Sequence, residues 1–136
     1  MIVLDCNAAV SMVMETSDGR ALRALALEGE PAIAPSLFHV ELANTMGKYV
    51  RGGYFDLNRA QEYVQGALAL ISHFESVEEL MFEAMAESIR LNHNAQDLFY
   101  FVLARRTGST LFTLDKRLQN LCLENGVNCV YLDNEF

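Results

Sequence analysis

The apolar residues of this 136-residue chain fall into short unbroken runs separated by longer amphipathic stretches. Runs such as MIVL at the start and STLF from residue 109 have the length and composition of buried strands. Between them, apolar residues recur at helical spacing, as at Ala60, Val64, Ala67 and Ile71. The pattern predicts strands at 1–5, 31–35, 73–77, 109–115 and 128–132.

Capping residues mark the helices that lie between these strands. Ser36 and Asp56 precede apolar periodic stretches and predict helix starts, and Ser76 with Glu79 has the spacing of a capping box. Glycines such as Gly29 follow the expected helix ends. The predicted helices cover residues 8–15, 18–28, 36–50, 56–71, 76–91, 95–107 and 116–125.

The alternation of strands with helices or helix pairs determines how the strands pair. Parallel neighbours need crossover connections of this length, and such crossovers are right-handed. The strands are almost continuously apolar, as expected for a sheet that is covered on both faces. The sequence therefore predicts an α/β fold, a three-layer α/β/α sandwich around a central, mostly parallel sheet of about five strands. At this length we expect one domain, residues 1–136.

Acidic residues stand where the strands meet the helices that follow them. Asp5 and Asp115 directly follow apolar strands, Asp97 lies in the first turn of a helix, and Glu41 lies on the polar stripe of another helix. Ligands of open parallel sheets bind at the carboxyl ends of the strands, so we expect these carboxylates to converge. Carboxylates that converge repel one another unless a cation neutralises them. Mg²⁺ and Mn²⁺ are suitable cations because they prefer oxygen ligands. The pattern indicates metal-assisted phosphodiester hydrolysis.

The same positions also have a purely structural interpretation. Aspartates at strand–helix junctions are common helix caps; Asp5 and Asp115 both precede helices, and Asn94 with Asp97 resembles a capping box. Glu41 lies beyond the capping turn, but a solvated glutamate on a helix is ordinary. Spacing alone leaves both interpretations open, and the metal hypothesis depends on the four residues as a set.

Composition narrows the class of protein. With 51% hydrophobic and 21% charged residues, we expect a compact soluble chain rather than a disordered one. No apolar run approaches the roughly 20 residues of a membrane span, and no export signal is evident, so we expect a cytoplasmic protein without membrane contact. The three cysteines lack metal-type spacing. The net charge of −8 argues against a general nucleic-acid binder but fits carboxylates that meet a polyanion through a metal.

Three segments in this order resemble the PIN-domain ribonucleases, most closely the VapC toxins of toxin–antitoxin pairs. They are IVLDCNAAVS, APSLFHVELANTM and AQDLFYFVLARRTGSTLFTLDKRL. The resemblance implies endonucleolytic cleavage of RNA, a cognate VapB-like antitoxin, a homodimer and autoregulation of the complex on DNA. It also implies that one or two Mg²⁺ or Mn²⁺ ions are bound by Asp5, Glu41, Asp97 and Asp115 and supported by Asn7, Ser11 and Thr113.

Other side chains carry weaker signals. Lys116 and Arg117 lie beside Asp115 and are candidate contacts to RNA phosphates, whereas Arg105 and Arg106 fit the negative end of a helix dipole. The remaining candidates are expected to be structural because they lack metal-like spacing or match a core pattern: His39, His73, His93 and the aromatic triplet 99–101.

Two alternative functions remain from the sequence. A receiver domain would have an acidic pair after its first strand, and a haloacid-dehalogenase-type phosphatase would have Asp-x-Asp, but Cys6 and Asn7 follow Asp5. No glycine-rich phosphate loop is present. Another Mg²⁺-dependent phosphohydrolase is therefore the weaker enzymatic alternative. The other alternative is a metal-binding or antitoxin-binding PIN-like module without nuclease activity.

Overall fold

The architecture was obtained as a computed structural model that describes residues 1–26 and 29–132. Four parallel strands form a sheet in the order β3–β2–β1–β4. Helices flank the sheet, so the predicted α/β class with a parallel central sheet is confirmed. The strands are β1 Ile2–Leu4, β2 Ala32–Pro35, β3 His73–Glu75 and β4 Thr110–Phe112.

The prediction of a fifth strand at 128–132 is wrong for the described part of the chain. This segment makes only an isolated parallel bridge, between Leu111 and Cys129. At this bridge the Leu111 amide donates to the Asn128 carbonyl at 2.8 Å and the Val130 amide donates to the Leu111 carbonyl at 3.0 Å. Past the bridge, the Gln119 side-chain amide donates to the Thr113 carbonyl at 2.7 Å and to the Val130 carbonyl at 3.5 Å. The described sheet therefore has four strands rather than about five.

Among the described residues, six helices connect the strands in pairs and a seventh follows β4, all close to the predicted ranges. The predicted helix at 18–28 begins at Ser17 and ends at Leu25, so Gly29 does not terminate it directly, and residues 27–28 lie outside the described residues. The helices are α1 Cys6–Val13, α2 Ser17–Leu25, α3 Leu37–Arg51, α4 Leu57–Ala69, α5 Val77–Leu91, α6 Ala95–Thr107 and α7 Lys116–Glu124.

Of the three helix starts predicted from Ser36, Asp56 and Ser76, two have the predicted side-chain cap. The Asp56 carboxylate accepts a hydrogen bond from the Arg59 amide at 2.9 Å and caps α4 as predicted. Ser36 occupies the first position before α3, but its hydroxyl accepts from the Val77 amide of α5 at 3.2 Å instead of capping its own helix. Ser36 therefore joins the beginnings of two helices that follow neighbouring strands.

The core forms around β1 and α6. All three residues of β1 are buried, and α6 is buried continuously from Tyr100 to Ala104 because it packs against three strands and against α5. On α2, a Cβ atom at Gly19 would overlap the Ser11 carbonyl, so glycine is required where α1 and α2 make contact. No helix among the described residues is long and apolar enough to cross a membrane.

Candidate active site at the carboxyl edge of the sheet

Asp5 lies where β1 ends and α1 begins. It occupies the capping position of α1, but its carboxylate makes no capping hydrogen bond. The carboxylate is buried and instead accepts a hydrogen bond from the Thr113 hydroxyl, just after β4, at 2.7 Å. The structural interpretation of Asp5 as a helix cap is therefore wrong.

The pKa of Asp5 depends on two of the other predicted carboxylates. The pKa of the Asp5 carboxyl group is raised to about 7, mainly by burial; the negative charges of Glu41 and Asp97 contribute to the rise, and the hydrogen bond from Thr113 opposes it. A carboxyl group in this environment binds its proton near neutral pH unless a cation compensates its charge.

Glu41 lies on α3 and faces α6. Its Oε1 atom accepts a hydrogen bond from the Tyr100 hydroxyl at 2.5 Å, and its Oε2 atom accepts from the Gln96 amide at 2.8 Å. Tyr100 is a core residue, as predicted for the aromatic triplet, but its hydroxyl also serves the carboxylate cluster. Burial and the charges of Asp5 and Glu41 raise the pKa of Tyr100 far above its usual range, so this hydroxyl remains a donor.

Asp97 lies in the first turn of α6 and is held by His93. The His93 Nε2 atom donates to Asp97 Oδ2 at 2.9 Å. The backbone of His93 is fixed in turn by Ser88, whose hydroxyl donates to the His93 carbonyl at 2.7 Å. Sequence reasoning set His93 aside because the histidines lack metal-like spacing, and it therefore missed this partner of Asp97. The available signal was the four-residue separation of His93 and Asp97 around a helix start.

Asp115 has the cap role that Asp5 lacks. Its carboxylate accepts from the Arg117 amide at 2.9 Å and caps α7, while its own amide donates to the Thr113 hydroxyl at 3.1 Å. Thr113 therefore connects Asp115 to Asp5. The charges of Glu41 and Asp97 also raise the pKa of Asp5.

The predicted supporting residues differ in what they contact. The Asn7 side-chain oxygen accepts from the Leu114 amide at 3.1 Å and connects α1 to the loop after β4. The Ser11 hydroxyl bonds to the Thr16 hydroxyl, which caps α2. Thr113 is the only one of the three with a described hydrogen bond to one of the four carboxylates.

The basic residues near the site differ in whether they already form ion pairs. Arg105 and Arg106 form ion pairs with Glu83 of α5, each at 2.6 Å, and are engaged in holding α5 and α6 together. Lys116 and Arg117 are exposed at the start of α7, and within residues 1–26 and 29–132 neither forms an ion pair. They are the cations beside Asp115 that are available to an incoming anion.

The donor set fits a hard divalent cation, although the side chains are not arranged as a closed metal site. In the described part of the chain, no three His, Cys, Asp or Glu residues are grouped so that they could hold an ion as they stand. The carboxylates are instead held by the neutral donors Tyr100, Gln96 and Thr113 and by His93. No lysine or arginine in that part pairs with any of the four carboxylates. Cation binding would relieve this uncompensated charge.

The four-stranded parallel sheet and its flanking helices form a PIN-like fold. The fold matches the crystal structure of PAE2754 from Pyrobaculum aerophilum with a TM-score of 0.67 at 20% identity, over 88% of this chain and 86% of that one. The sequence is 32% identical over 118 residues to Ribonuclease VapC12 from two strains of Mycobacterium tuberculosis, CDC 1551 / Oshkosh and ATCC 25618 / H37Rv. This match covers 87% of the chain and 89% of each relative. The chain belongs to the VapC family of PIN-domain ribonucleases. No family model matches it.

Proposed function

We propose that this protein is a metal-dependent endoribonuclease that hydrolyses RNA phosphodiester bonds as the toxin of a VapBC-type pair. The observation that carries the proposal is the buried carboxyl group of Asp5 at the carboxyl edge of the sheet, bonded to Thr113 and within the influence of the charges of Glu41 and Asp97, in a chain of the VapC family. The M. tuberculosis relatives are named as ribonucleases. The partners proposed with it are an RNA substrate, a VapB-like antitoxin and a second copy of the chain, in the cytoplasm.

Asp5, Glu41, Asp97 and Asp115 are the residues proposed to bind one or two Mg²⁺ or Mn²⁺ ions. When bound, such an ion orients a phosphate, lowers the pKa of a water molecule and stabilises the leaving oxygen. The chain's own contribution is to hold the carboxylates in place through Thr113 and the α6 donors. Lys116 and Arg117 are proposed to contact RNA phosphates beside Asp115.

A second candidate function is a PIN-like module whose role is to bind an antitoxin without cleaving RNA. It is favoured by one observation, the lack of a ready-made metal arrangement among the described acidic, histidine and cysteine side chains. The nuclease proposal instead requires these side chains to close around the ion when it binds.

Metal removal separates the two candidates. We expect the purified protein to cleave RNA in the presence of millimolar Mg²⁺ or Mn²⁺ and to lose that cleavage in EDTA. The assay follows labelled RNAs, including structured ones such as transfer RNA, because a toxin is selective for its target. Absence of cleavage, combined with an unchanged melting temperature on addition of metal, would support the binding module instead.

Replacing Tyr100 with phenylalanine tests whether α6 positions Glu41. The phenyl ring fills the same core space, but Glu41 Oε1 loses its 2.5 Å hydrogen bond. Residues that orient metal ligands typically contribute 10–100-fold to metal affinity or activity, so we expect Mn²⁺ to bind about tenfold more weakly by calorimetry. Phe99→Leu, a neighbouring aromatic change on α6, is the control for repacking. Equal Mn²⁺ affinity in wild type and Tyr100→Phe would show that the Tyr100 hydroxyl does not contribute to metal binding.

A further inference from the structure

A groove lies at the end of α3, outside the carboxylate cluster. It encloses about 450 Å³ and is lined by Thr45, Lys48, Tyr49 and Tyr54, which we call the α3 groove. This volume lies within the range of small-ligand pockets. We propose that the α3 groove is a substrate subsite that binds one nucleotide of single-stranded RNA, its base against Tyr54 and its phosphate against Lys48. The inference rests on the proposed ribonuclease function.

The groove and the carboxylate site both lie along one face of α3. Glu41, Thr45 and Lys48 are separated by four and three residues on α3, so their side chains share a face. The seven-residue separation of Glu41 and Lys48 corresponds to about 10 Å along the helix axis. An RNA strand whose scissile phosphate lies beside Glu41 would therefore reach the α3 groove with an adjoining nucleotide.

The aromatic residues of the groove form a preorganised surface for a base. Tyr54 is 75% exposed and meets the ring of Tyr49 edge-on, with 5.4 Å between the ring centroids. Tyr49 stacks on Phe55 at 5.3 Å, and Phe55 packs against Tyr63 at 5.2 Å. Tyr54 is therefore supported by a packed aromatic cluster, which reduces the conformational entropy lost on binding. Exposed aromatic rings beside a cation are typical of single-strand binding surfaces.

The charge of the groove suits a polyanion. Of the four residues that line the α3 groove, Lys48 alone is charged, in a chain whose net charge is −8. Lys48 is exposed and forms no ion pair within the described ranges. A lysine in this setting neutralises a phosphate and releases counterions, which makes binding dependent on salt.

The test measures RNA binding apart from cleavage. The parent protein is Asp97→Asn, and the probe is a short fluorescein-labelled single-stranded RNA of mixed sequence, followed by anisotropy. We expect Tyr54→Ala to weaken binding about tenfold and Tyr54→Phe to retain it, since stacking needs the ring alone. Lys48→Ala should reduce the slope of log K against log salt by about 0.7. Phe82→Ala on α5, which removes another strongly exposed aromatic ring, is the matched control and should leave binding unchanged.

A kinetic measurement on the cleaving enzyme complements the binding test. In the wild-type background, Tyr54→Ala should raise KM about tenfold while kcat stays the same, because the subsite binds ground state and transition state alike. Unchanged RNA affinity in both Tyr54→Ala and Lys48→Ala would overturn the subsite while leaving the nuclease in place. Dissociation of a dimer by Tyr54→Ala, seen by sedimentation with unchanged RNA affinity, would assign the groove to a second copy and also overturn it. If wild type cleaves no RNA and the parent binds none, the proposed function itself fails.

Discussion

Asp97→Asn is expected to reduce metal-dependent RNA cleavage by more than about a hundredfold, beyond the 10–100-fold cost of losing a residue that only supports a ligand. Asparagine has the size of aspartate and keeps an oxygen that can accept the hydrogen bond from His93. The change therefore removes one negative charge and little else. Initial cleavage rates at matched Mg²⁺ or Mn²⁺ concentrations measure the effect, and circular dichroism checks that the fold is retained.

The matched control for this change is Asp56→Asn. Asp56 caps α4 through the Arg59 amide, and asparagine caps helices about as well as aspartate. We expect this variant to keep both the cleavage rate and the melting temperature of wild type. Cleavage at the wild-type rate by Asp97→Asn would exclude Asp97 from the site.

The sequence was sufficient for the fold because its signals were local and agreed with one another. Apolar runs identified β1, β2 and β4, whereas β3 (His73–Glu75) has no such run, and capping residues such as Asp56 identified helix starts. The error at 128–132 has a different origin. An apolar run predicts a strand, but whether it pairs along its length depends on side chains such as Gln119, whose amide here donates to the backbone carbonyls of Thr113 and Val130.

The candidate site could be predicted only in part, because equivalent local contexts lead to different contacts. Asp5 and Asp115 both follow apolar strands and precede helices, yet Asp115 caps its helix and Asp5 does not. The difference comes from Thr113, which is 108 residues away from Asp5 in the chain and donates to its carboxylate. No local pattern contains that information.

The donors that hold the carboxylates were harder still to predict. Tyr100 matches a core pattern, and its hydroxyl finds Glu41 only because α3 and α6 approach each other across 59 residues of sequence. Gln96 carries no signal at all in the sequence. His93 was the exception, since its separation from Asp97 is local. Site residues at strand ends can thus be inferred from one sequence, whereas their supporting contacts require the tertiary structure.

Asp5→Asn is expected to stabilise the metal-free protein while abolishing its cleavage of RNA. Burial raises the pKa of Asp5 from 3.8 to about 7. The folded protein therefore holds this proton up to about pH 7, whereas the unfolded chain releases it from about pH 4. The free energy of unfolding consequently falls as pH rises between these values, by at most about 4 kcal/mol at about 1.4 kcal/mol per pKa unit. An asparagine at position 5 does not ionise, so the variant does not lose stability as the pH rises. Its side-chain oxygen can still accept the hydrogen bond from Thr113.

Thermal melts in EDTA at several pH values measure this effect, with Asp56→Asn as the control for a general aspartate-to-asparagine change. The melting temperature of Asp5→Asn should exceed that of wild type by several degrees at pH 8, and the difference should vanish near pH 4. Added Mg²⁺ should raise the melting temperature of wild type but not of Asp5→Asn, because a ligand that binds the native state stabilises it. A variant less stable than wild type at pH 8 would contradict the burial of an uncompensated charge at Asp5. Stabilisation of both proteins by metal would instead mean that the ion binds without Asp5.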